Sequence, residues 1–240
     1  MPLKQLEKPR TTLSRQVLES VRDAILRGEL APGDAINEAE IARQLGVSRG
    51  PLREALNRLE GSQLLERWPE QGLRVVRLSR ADLISLFEIR AALEGLACRR
   101  AAALISDEEI RELERIVADQ SRRARSPRSR SDTYSTDDDF HLIIVRASRS
   151  ERLIKMLTED LYLQIRLYRY QSERRSFERA MTAYDEHREI VEALRTRSPD
   201  LAAQAMSRHI EHAMAALHAS AGSGLSSSTD EKAPAPMPQS

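Results

Sequence analysis

The 240-residue chain lacks several features that define whole classes of protein. It has a single cysteine, Cys98, so no internal disulfide can form and a disulfide-stapled secreted fold is excluded. It has no apolar run long enough to span a bilayer, and its N-terminus lacks the hydrophobic stretch of a signal peptide. These absences predict a cytoplasmic protein with no membrane partner.

The chain also lacks a strong charge of either sign. A net charge of +1 neither indicates nor excludes a nucleic-acid partner, so any signal for DNA binding must lie in the position of the charges. The apolar content of 40% is enough for two cores. We expect domains at residues 12–78 and 79–220, a flexible N-terminus at 1–11, and a disordered tail at 221–240, where Ser and Pro are frequent.

The stretch from Leu45 to Leu56 predicts a tight turn between two helices. Gly46 can adopt the positive φ that ends one helix, and Val47 is expected to fill the angle between the two. Ser48 is suited to cap the next helix through its hydroxyl, with Pro51 in the first turn, where a missing N–H costs little.

The helix after this turn, running to about Ser62, has one apolar and one basic face. The apolar residues recur at helical spacing and predict a buried stripe: Leu52, Ala55, Leu56 and Leu59. This leaves Arg49, Arg53 and Arg58 on the outer face, where long cationic side chains can reach base edges and phosphates. The pattern indicates a DNA-recognition helix, and the alternative is an ordinary solvated helix face.

The flanking sequence completes a winged helix-turn-helix. An amphipathic helix is expected from Leu13 to Leu26, and Asn37 with Glu40 resembles a capping box before a second, short helix. Two short strands are expected on either side of the turn 69–72. A domain with so little net charge should bind DNA poorly alone, so we expect two copies on one palindrome.

From Ser79 onward the pattern predicts helices only. Capping-box-like starts at Ser79 and Ser106 open the first two, and further helices are expected at about 133–148, 151–172, 178–196 and 199–219. The fold class is therefore mainly α, with a winged helix-turn-helix followed by a six-helix bundle. The Arg- and Ser-rich stretch 121–132 is expected to be a mobile loop, solvated or in contact with DNA or an acidic partner.

All five histidines lie in the predicted bundle. Asp137 and His141 are four residues apart and share a helix face. With His187 and His209 on the last two helices, they could converge as one oxygen and three nitrogen ligands, a set that suits zinc, nickel or manganese. Two alternatives stay open, since Asp138 could replace Asp137 and His212 could replace His209. We expect His218 to be solvated.

These two segments resemble a known family. The residues 46–56 and the wing glycine Gly72 resemble the GntR family of bacterial transcription regulators, and the helical part with Asp137, His141 and two later histidines is similar to the FCD effector domain of its FadR-type subfamily, in the six-helix, VanR-like branch. The resemblance implies that Arg49 and Arg53 contact a double-stranded DNA operator. It also implies that Ser48, Gly50 and Gly72 lie near phosphates or the minor groove.

For the bundle, the resemblance implies a divalent metal on Asp137, His141, His187 and His209 that helps to hold a small carboxylate effector. Arg90 matches a recurrent arginine and could bind the effector carboxylate, the alternative being an ion pair with Glu94. A homodimeric repressor relieved by a metabolite is the expected function. Two other readings remain at this point: a metal-dependent helical-bundle enzyme, and a regulator whose metal is structural or is itself the signal.

Overall fold

The computed structural model describes residues 13–124, 133–171 and 177–220, and it is mainly helical, as predicted. Its N-terminal part is a winged helix-turn-helix with α1 (Leu13–Leu26), α2 (Glu38–Leu45), α3 (Arg49–Gly61), β1 (Leu65–Trp68) and β2 (Gly72–Val75). The expected N-terminal and C-terminal flexible segments, 1–11 and 221–240, lie outside the described residues.

Polar caps start several of the helices. Asn37 accepts a hydrogen bond from the backbone N–H of Glu40 at 3.1 Å. The other half of this expected capping box is replaced, because the Glu40 carboxylate accepts from Arg43 and Gln44 instead. Ser79 forms a complete capping box with Asp82, which fixes the start of the first bundle helix.

The wing is a two-stranded antiparallel hairpin with Trp68 opposite Gly72. The chain before α2 runs beside β2, since the N–H of Gly33 donates to the carbonyl of Val75 and the N–H of Ile36 donates to the carbonyl of Leu73, each at 2.8 Å. The hairpin therefore rests on the segment that leads into the helix-turn-helix.

The C-terminal part is the predicted bundle, and six continuous helical rods are found among the described residues. These are α4 (Arg80–Leu104), α5 (Asp107–Ala124), α6 (Thr133–Ala147), the run of α7 (Glu151–Lys155), a π-helical segment (Met156–Leu161) and α8 (Tyr162–Gln171), then α9 (Phe177–Arg195) and α10 (Pro199–Ser220). None of the described helices is both long enough and apolar enough to cross a membrane.

Two expectations for the bundle need correction. The helix expected at 151–172 is interrupted by the π-helical segment, where the Thr158 hydroxyl donates to the carbonyl of Ile154 at 2.7 Å and competes with the regular backbone bonding. The expected loop 121–132 begins later, because Ser121 to Ala124 continue α5, and Arg122 pairs with Asp119 one turn earlier. Residues 125–132 lie outside the described part of the chain.

The two parts of the chain are in contact. Leu167 of α8 is fully buried in the core of the winged helix-turn-helix, where it belongs to the same cluster as Val17 and Val21 of α1. Leu163, one turn earlier, packs against the edge of that cluster. The bundle thus contributes a side chain to the core of its neighbour.

Candidate functional site

The turn between α2 and α3 has the predicted geometry. Gly46 lies in the left-handed region at φ 64°, and its N–H bonds back to the end of α2. Val47 is half-buried against the core of the winged helix-turn-helix, with its N–H bonded to the carbonyl of Ala42 at 3.0 Å. The turn therefore sets the direction in which α3 leaves the domain.

Helix α3 separates its two faces as expected. Its apolar stripe is buried: Leu52, Ala55, Leu56 and Leu59. Arg49, Arg53 and Arg58 are all exposed on the opposite side. Arg53 contacts the carboxylate of Glu38 in α2 at 3.1 Å, an exposed pair that costs little to exchange for a phosphate or a base edge.

The predicted cap at Ser48 is wrong in one respect. Ser48 has the extended backbone of an N-cap, but its hydroxyl makes no capping hydrogen bond. An N-cap side chain normally accepts from the second or third residue of the helix, and the third residue here is Pro51, which has no N–H. Ser48 is exposed and lies beside Arg49 at the N-terminal end of α3.

The two predicted contact glycines both face open space. A Cβ built on Gly50 would meet nothing within 4 Å, and the same holds for Gly72, which lies at φ 78° where the wing turns into β2. The absence of side chains at these two exposed positions allows a close approach of a flat or charged partner to the backbone.

The structure brings three of the predicted metal ligands together. His141 of α6, His187 of α9 and His209 of α10 are buried, and one ring nitrogen of each lies within 4.8 Å of the others. The Nε2 atoms of His187 and His209 are 3.3 Å apart. Phe140 stacks on the His187 ring with a centroid distance of 4.0 Å, which covers one side of the cluster.

The Nδ1 atom of each of these histidines is held by an oxygen acceptor. Glu94 of α4 contacts His141 Nδ1 at 2.6 Å, and Gln120 of α5 contacts His187 Nδ1 at 2.8 Å. Glu186 of α9 contacts His209 Nδ1 at 2.7 Å. An Nδ1–H that donates to an oxygen leaves the Nε2 of the same ring as a lone-pair donor.

This donor set fits a divalent metal ion. Two nitrogens bound to one ion at about 2.0–2.1 Å lie about 3.0–3.4 Å apart, and the Nε2 atoms of His187 and His209 are at such a separation. Neutral imidazoles whose Nδ1–H bonds to a carboxylate or amide are common ligands of zinc and nickel. The three histidines can therefore supply three nitrogens to one ion.

Arg90, the predicted effector-binding residue, is linked to this cluster through Glu94. Its Nε donates to Glu94 at 2.5 Å, and both side chains are almost fully buried. Burial alone would raise the pKa of Glu94, but the charge of Arg90 and the contact with His141 outweigh it and lower that pKa to about 2. The ion pair named as the alternative role of Arg90 is thus present, and it connects Arg90 to a candidate metal ligand through one carboxylate.

The open alternatives for the ligand set are partly resolved. His212 is outside the cluster: its Nδ1 contacts the second oxygen of Glu186 at 2.7 Å, and its side chain is half exposed. Asp137 and Asp138 lie in α6 in the turn before His141, but their side chains are outside the described part of the chain. The side chain of His218 is also outside it.

Sequence reasoning missed the oxygen acceptors of the cluster. Glu94 was considered only as a partner of Arg90, and Gln120 and Glu186 were not singled out. The available signal is position: Glu94 shares one face of α4 with Phe87, Cys98 and Ala101, and Gln120 and Glu186 are each three or four residues from a buried apolar residue of their own helix, Val117 and Ile190. A charged or amide residue on such a face needs a partner.

A winged helix-turn-helix with a basic recognition helix, joined to a helical bundle, is the architecture of a DNA-binding transcription regulator. Comparison with known proteins agrees. Residues 13–75 match the model of "Bacterial regulatory proteins, gntR family", and residues 85–212 match the FCD domain. The chain belongs to the GntR family, with an FCD domain.

Its relatives are regulators. The chain is 35% identical over 183 residues to the Nta operon transcriptional regulator of Aminobacter aminovorans, covering 75% of this chain and 82% of that protein. It is 33% identical over 207 residues to a probable D-xylose utilization operon transcriptional repressor of Paenarthrobacter nicotinovorans, covering 84% and 87%. The protein is therefore a transcription regulator, and the reading as an enzyme is set aside.

The fold is also found in a solved structure. The chain is similar to McbR/YncC of E. coli with a TM-score of 0.71 and 22% sequence identity, covering 88% of this chain and 99% of that one. This likeness extends over the winged helix-turn-helix and the bundle together.

Proposed function

We propose that the protein is a homodimeric repressor that binds a palindromic DNA operator and releases it when a small carboxylate metabolite binds at a metal ion in the bundle. The observation that carries the sensing part is the buried cluster of His141, His187 and His209, each with its Nδ1 held by an oxygen. The cluster supports metal binding because three ring nitrogens converge while the second nitrogen of each ring is held by an oxygen.

Zinc is the metal that we propose first, with nickel and manganese as the other choices. The three histidines would hold it through Nε2, and Asp137, one helical turn before His141, is proposed as the fourth ligand. When bound, such an ion acts as a Lewis acid that attracts carboxylate and hydroxyl oxygens. A hydroxy acid or sugar acid is therefore the proposed class of effector.

Arg90 is the proposed partner of the effector carboxylate. A guanidinium has a planar fork of N–H donors whose geometry matches a carboxylate, and the Nε donor of Arg90 is bonded to Glu94. On this proposal Arg90 acts on the effector from the buried position in which it pairs with Glu94. In this arrangement, effector binding and metal binding share one chain of buried polar groups.

On DNA, we propose that α3 enters the major groove with Arg49 and Arg53 at base edges and Arg58 at a phosphate. Ser48, Gly50 and the wing at Gly72 would lie against the backbone or the minor groove, where the open space at both glycines allows close approach. Two such domains would occupy half-sites one or two helical turns apart. Repression is favoured by the relative named as a repressor.

The first test is the metal content of the purified protein by elemental analysis. We expect about one divalent ion per chain, lost in His187→Ala and in His209→Ala because each variant removes one of three nitrogen ligands. His212→Ala is the matched control, since this histidine lies one turn from His209 but outside the cluster. Retention of the ion in all three variants would contradict the site.

The second test separates the organic effector from the metal as signal. Carboxylates are screened by thermal shift on the metal-loaded protein, and each one that stabilises it is added to the operator complex. The proposal predicts that at least one such carboxylate releases DNA at constant metal concentration. If operator affinity follows the metal concentration and no carboxylate changes it, the ion itself is the signal.

A further inference from the structure

Helix α4 carries an apolar stripe on its outer surface. Ile89 is 51% exposed and Leu96 is 46% exposed, and Ala92 between them is also exposed. Spacings of three and four residues place all three on one line along the helix. Single exposed apolar residues are ordinary, but a line of them at the middle of the longest helix is a feature that needs a partner.

The rest of α4 is already used by the bundle. On one side it lies so close to α10 that a Cβ on Gly95 would meet the Ser207 hydroxyl at 2.5 Å. On another side Glu94 contacts His141 of α6. The line of Ile89, Ala92 and Leu96 lies on a face of α4 that neither of these contacts covers.

We propose that this stripe is the contact with a second copy of the chain, with the two α4 helices antiparallel and the two-fold axis near Ala92. The inference rests on the proposed function, which requires a dimer. In such a pair Ile89 of one copy faces Leu96 of the second copy, and the reverse contact follows by symmetry. Ala92 at the centre is small enough to let the helices approach closely.

The charges along the outer surface of α4 favour the antiparallel arrangement. Asp82 and Glu88 lie on the N-terminal side of Ala92, and Arg99 and Arg100 lie on the C-terminal side, all four exposed. An antiparallel copy brings the acidic half of each helix against the basic half of the other, whereas a parallel copy brings like charges together.

Three of these charges already have a local partner, Asp82 through its capping box with Ser79. Arg99 contacts Asp200 at 2.5 Å, and Arg100 donates to the carbonyl of Ser148 at 3.3 Å. Both contacts hold the basic half of α4 in position beside the start of α10 and the end of α6. Arg99 keeps half of its side-chain surface exposed. The basic end of α4 is thus held in position for an acidic neighbour.

The test is disulfide cross-linking through a single introduced cysteine. Ala92→Cys places a thiol next to its own copy across the axis, so mild oxidation should yield a covalent dimer. Ile89→Cys is the matched control: its two copies would lie about 9 Å apart along the helix axis, which is beyond disulfide reach. The native Cys98 is fully buried, and burial together with Glu94 raises the pKa of its thiol, so it should not react.

A second measurement does not depend on cysteine chemistry. Leu96→Glu should shift the protein from dimer to monomer in size-exclusion chromatography with light scattering at micromolar concentration, while Leu201→Glu, on an exposed leucine of α10, should leave the dimer intact. Metal content and helical content serve as checks that Leu96→Glu is folded.

The outcomes distinguish the inference from the proposed function. A covalent dimer of Ala92→Cys together with a monomeric Leu96→Glu supports the α4 contact. A wild-type dimer that survives Leu96→Glu, with no cross-link at position 92, overturns the α4 contact and leaves the dimeric repressor standing. A monomeric wild type that binds the operator as one copy overturns both.

Discussion

At the scale of single residues, the exposed arginines of α3 are the most direct test of DNA recognition. We predict that Arg49→Ala and Arg53→Ala each weaken operator binding by about 1–3 kcal/mol, or roughly 5- to 150-fold, because each removes one of the proposed base contacts. Fluorescence anisotropy on an operator selected in vitro would measure this loss, at a stated salt concentration because phosphate contacts are salt-dependent.

Arg27→Ala is the control for the arginine variants. Arg27 is exposed, pairs with Glu29 at the turn after α1, and is not part of the recognition helix. Its removal lowers the charge of the domain by the same amount as the other two changes. An equal loss in all three variants would mean that α3 contributes only charge and does not read the sequence.

The buried carboxylate of Glu94 should matter more for stability than any surface carboxylate. Glu94→Gln leaves the side chain shape but removes the charge that faces Arg90 and His141. We predict a loss of about 3–5 kcal/mol in the free energy of unfolding, because the Arg90 charge is then buried without compensation. Urea titration followed by circular dichroism measures it.

Glu192→Gln provides the comparison for Glu94→Gln. Glu192 pairs with Arg195 on the exposed side of α9, where such pairs contribute about 0–1 kcal/mol. If the two variants lose similar stability, the Arg90–Glu94–His141 chain does not carry the buried charge that the structure places there.

At this scale the sequence predicted the residues with a chemical signature and missed those without one. Three of the four proposed metal ligands converge in the structure. They could be predicted because histidine is a recognisable metal-ligand type. The acceptors Gln120 and Glu186 are common residue types, and their role depends on which helix lies opposite. Spacing along one helix contains no information about that neighbour.

At the scale of secondary structure elements, the turn before α3 offers a matched pair of glycines. A Cβ meets nothing within 4 Å at Gly46 or at Gly50, but only Gly46 has a positive φ. We predict that Gly46→Ala costs about 1–2 kcal/mol from backbone strain, whereas Gly50→Ala leaves stability unchanged or raises it by up to about 1 kcal/mol. Thermal unfolding would measure both.

The same pair separates folding from DNA contact. Gly50 lies at the N-terminal end of α3, where the proposed operator backbone approaches, so Gly50→Ala should weaken operator binding without a loss of stability. A Gly50→Ala protein with unchanged operator affinity would show that no phosphate or base comes close to this position.

The helix boundaries were predictable where local chemistry sets them. Asn37, Ser79 and Ser106 each start a helix as expected, because a cap and its partner lie within four residues. Ser48 shows the limit of the rule, since Pro51 removes one of the two donors that its hydroxyl could use and the hydroxyl makes no capping bond to the other. The π-helical segment was not predictable, because a threonine hydroxyl that bonds back to a carbonyl, as Thr158 does to Ile154, is compatible with a regular α-helix as well.

At the scale of the whole molecule, the contact between bundle and winged helix-turn-helix could not be read from the sequence. Leu167 fits the apolar side of α8 equally well as a residue of the bundle core. The structure instead places it in the core formed by α1 and α3, directly after the π-helical run. A displacement of α8 on effector binding would therefore act on the DNA-binding domain without an intermediate element.

This contact leads to a prediction about coupling between effector and operator. A carboxylate that weakens operator binding must itself bind more weakly, by the same factor, when operator is present, and we expect a factor of about 5–150. Calorimetric titration of the effector with and without operator measures one side, and anisotropy measures the other. A factor of one in both titrations would mean that the carboxylate and the operator bind independently, and it would contradict the proposed release of DNA.

Leu167→Ala should reduce that coupling factor towards one while the metal stays bound, because it removes the side chain through which α8 reaches the other core. Leu113→Ala in α5 is the matched control, a fully buried leucine of the bundle core. Both substitutions should cost about 2–5 kcal/mol of stability. If both reduce the coupling equally, destabilisation alone explains the effect, and the path from metal site to operator does not run through α8.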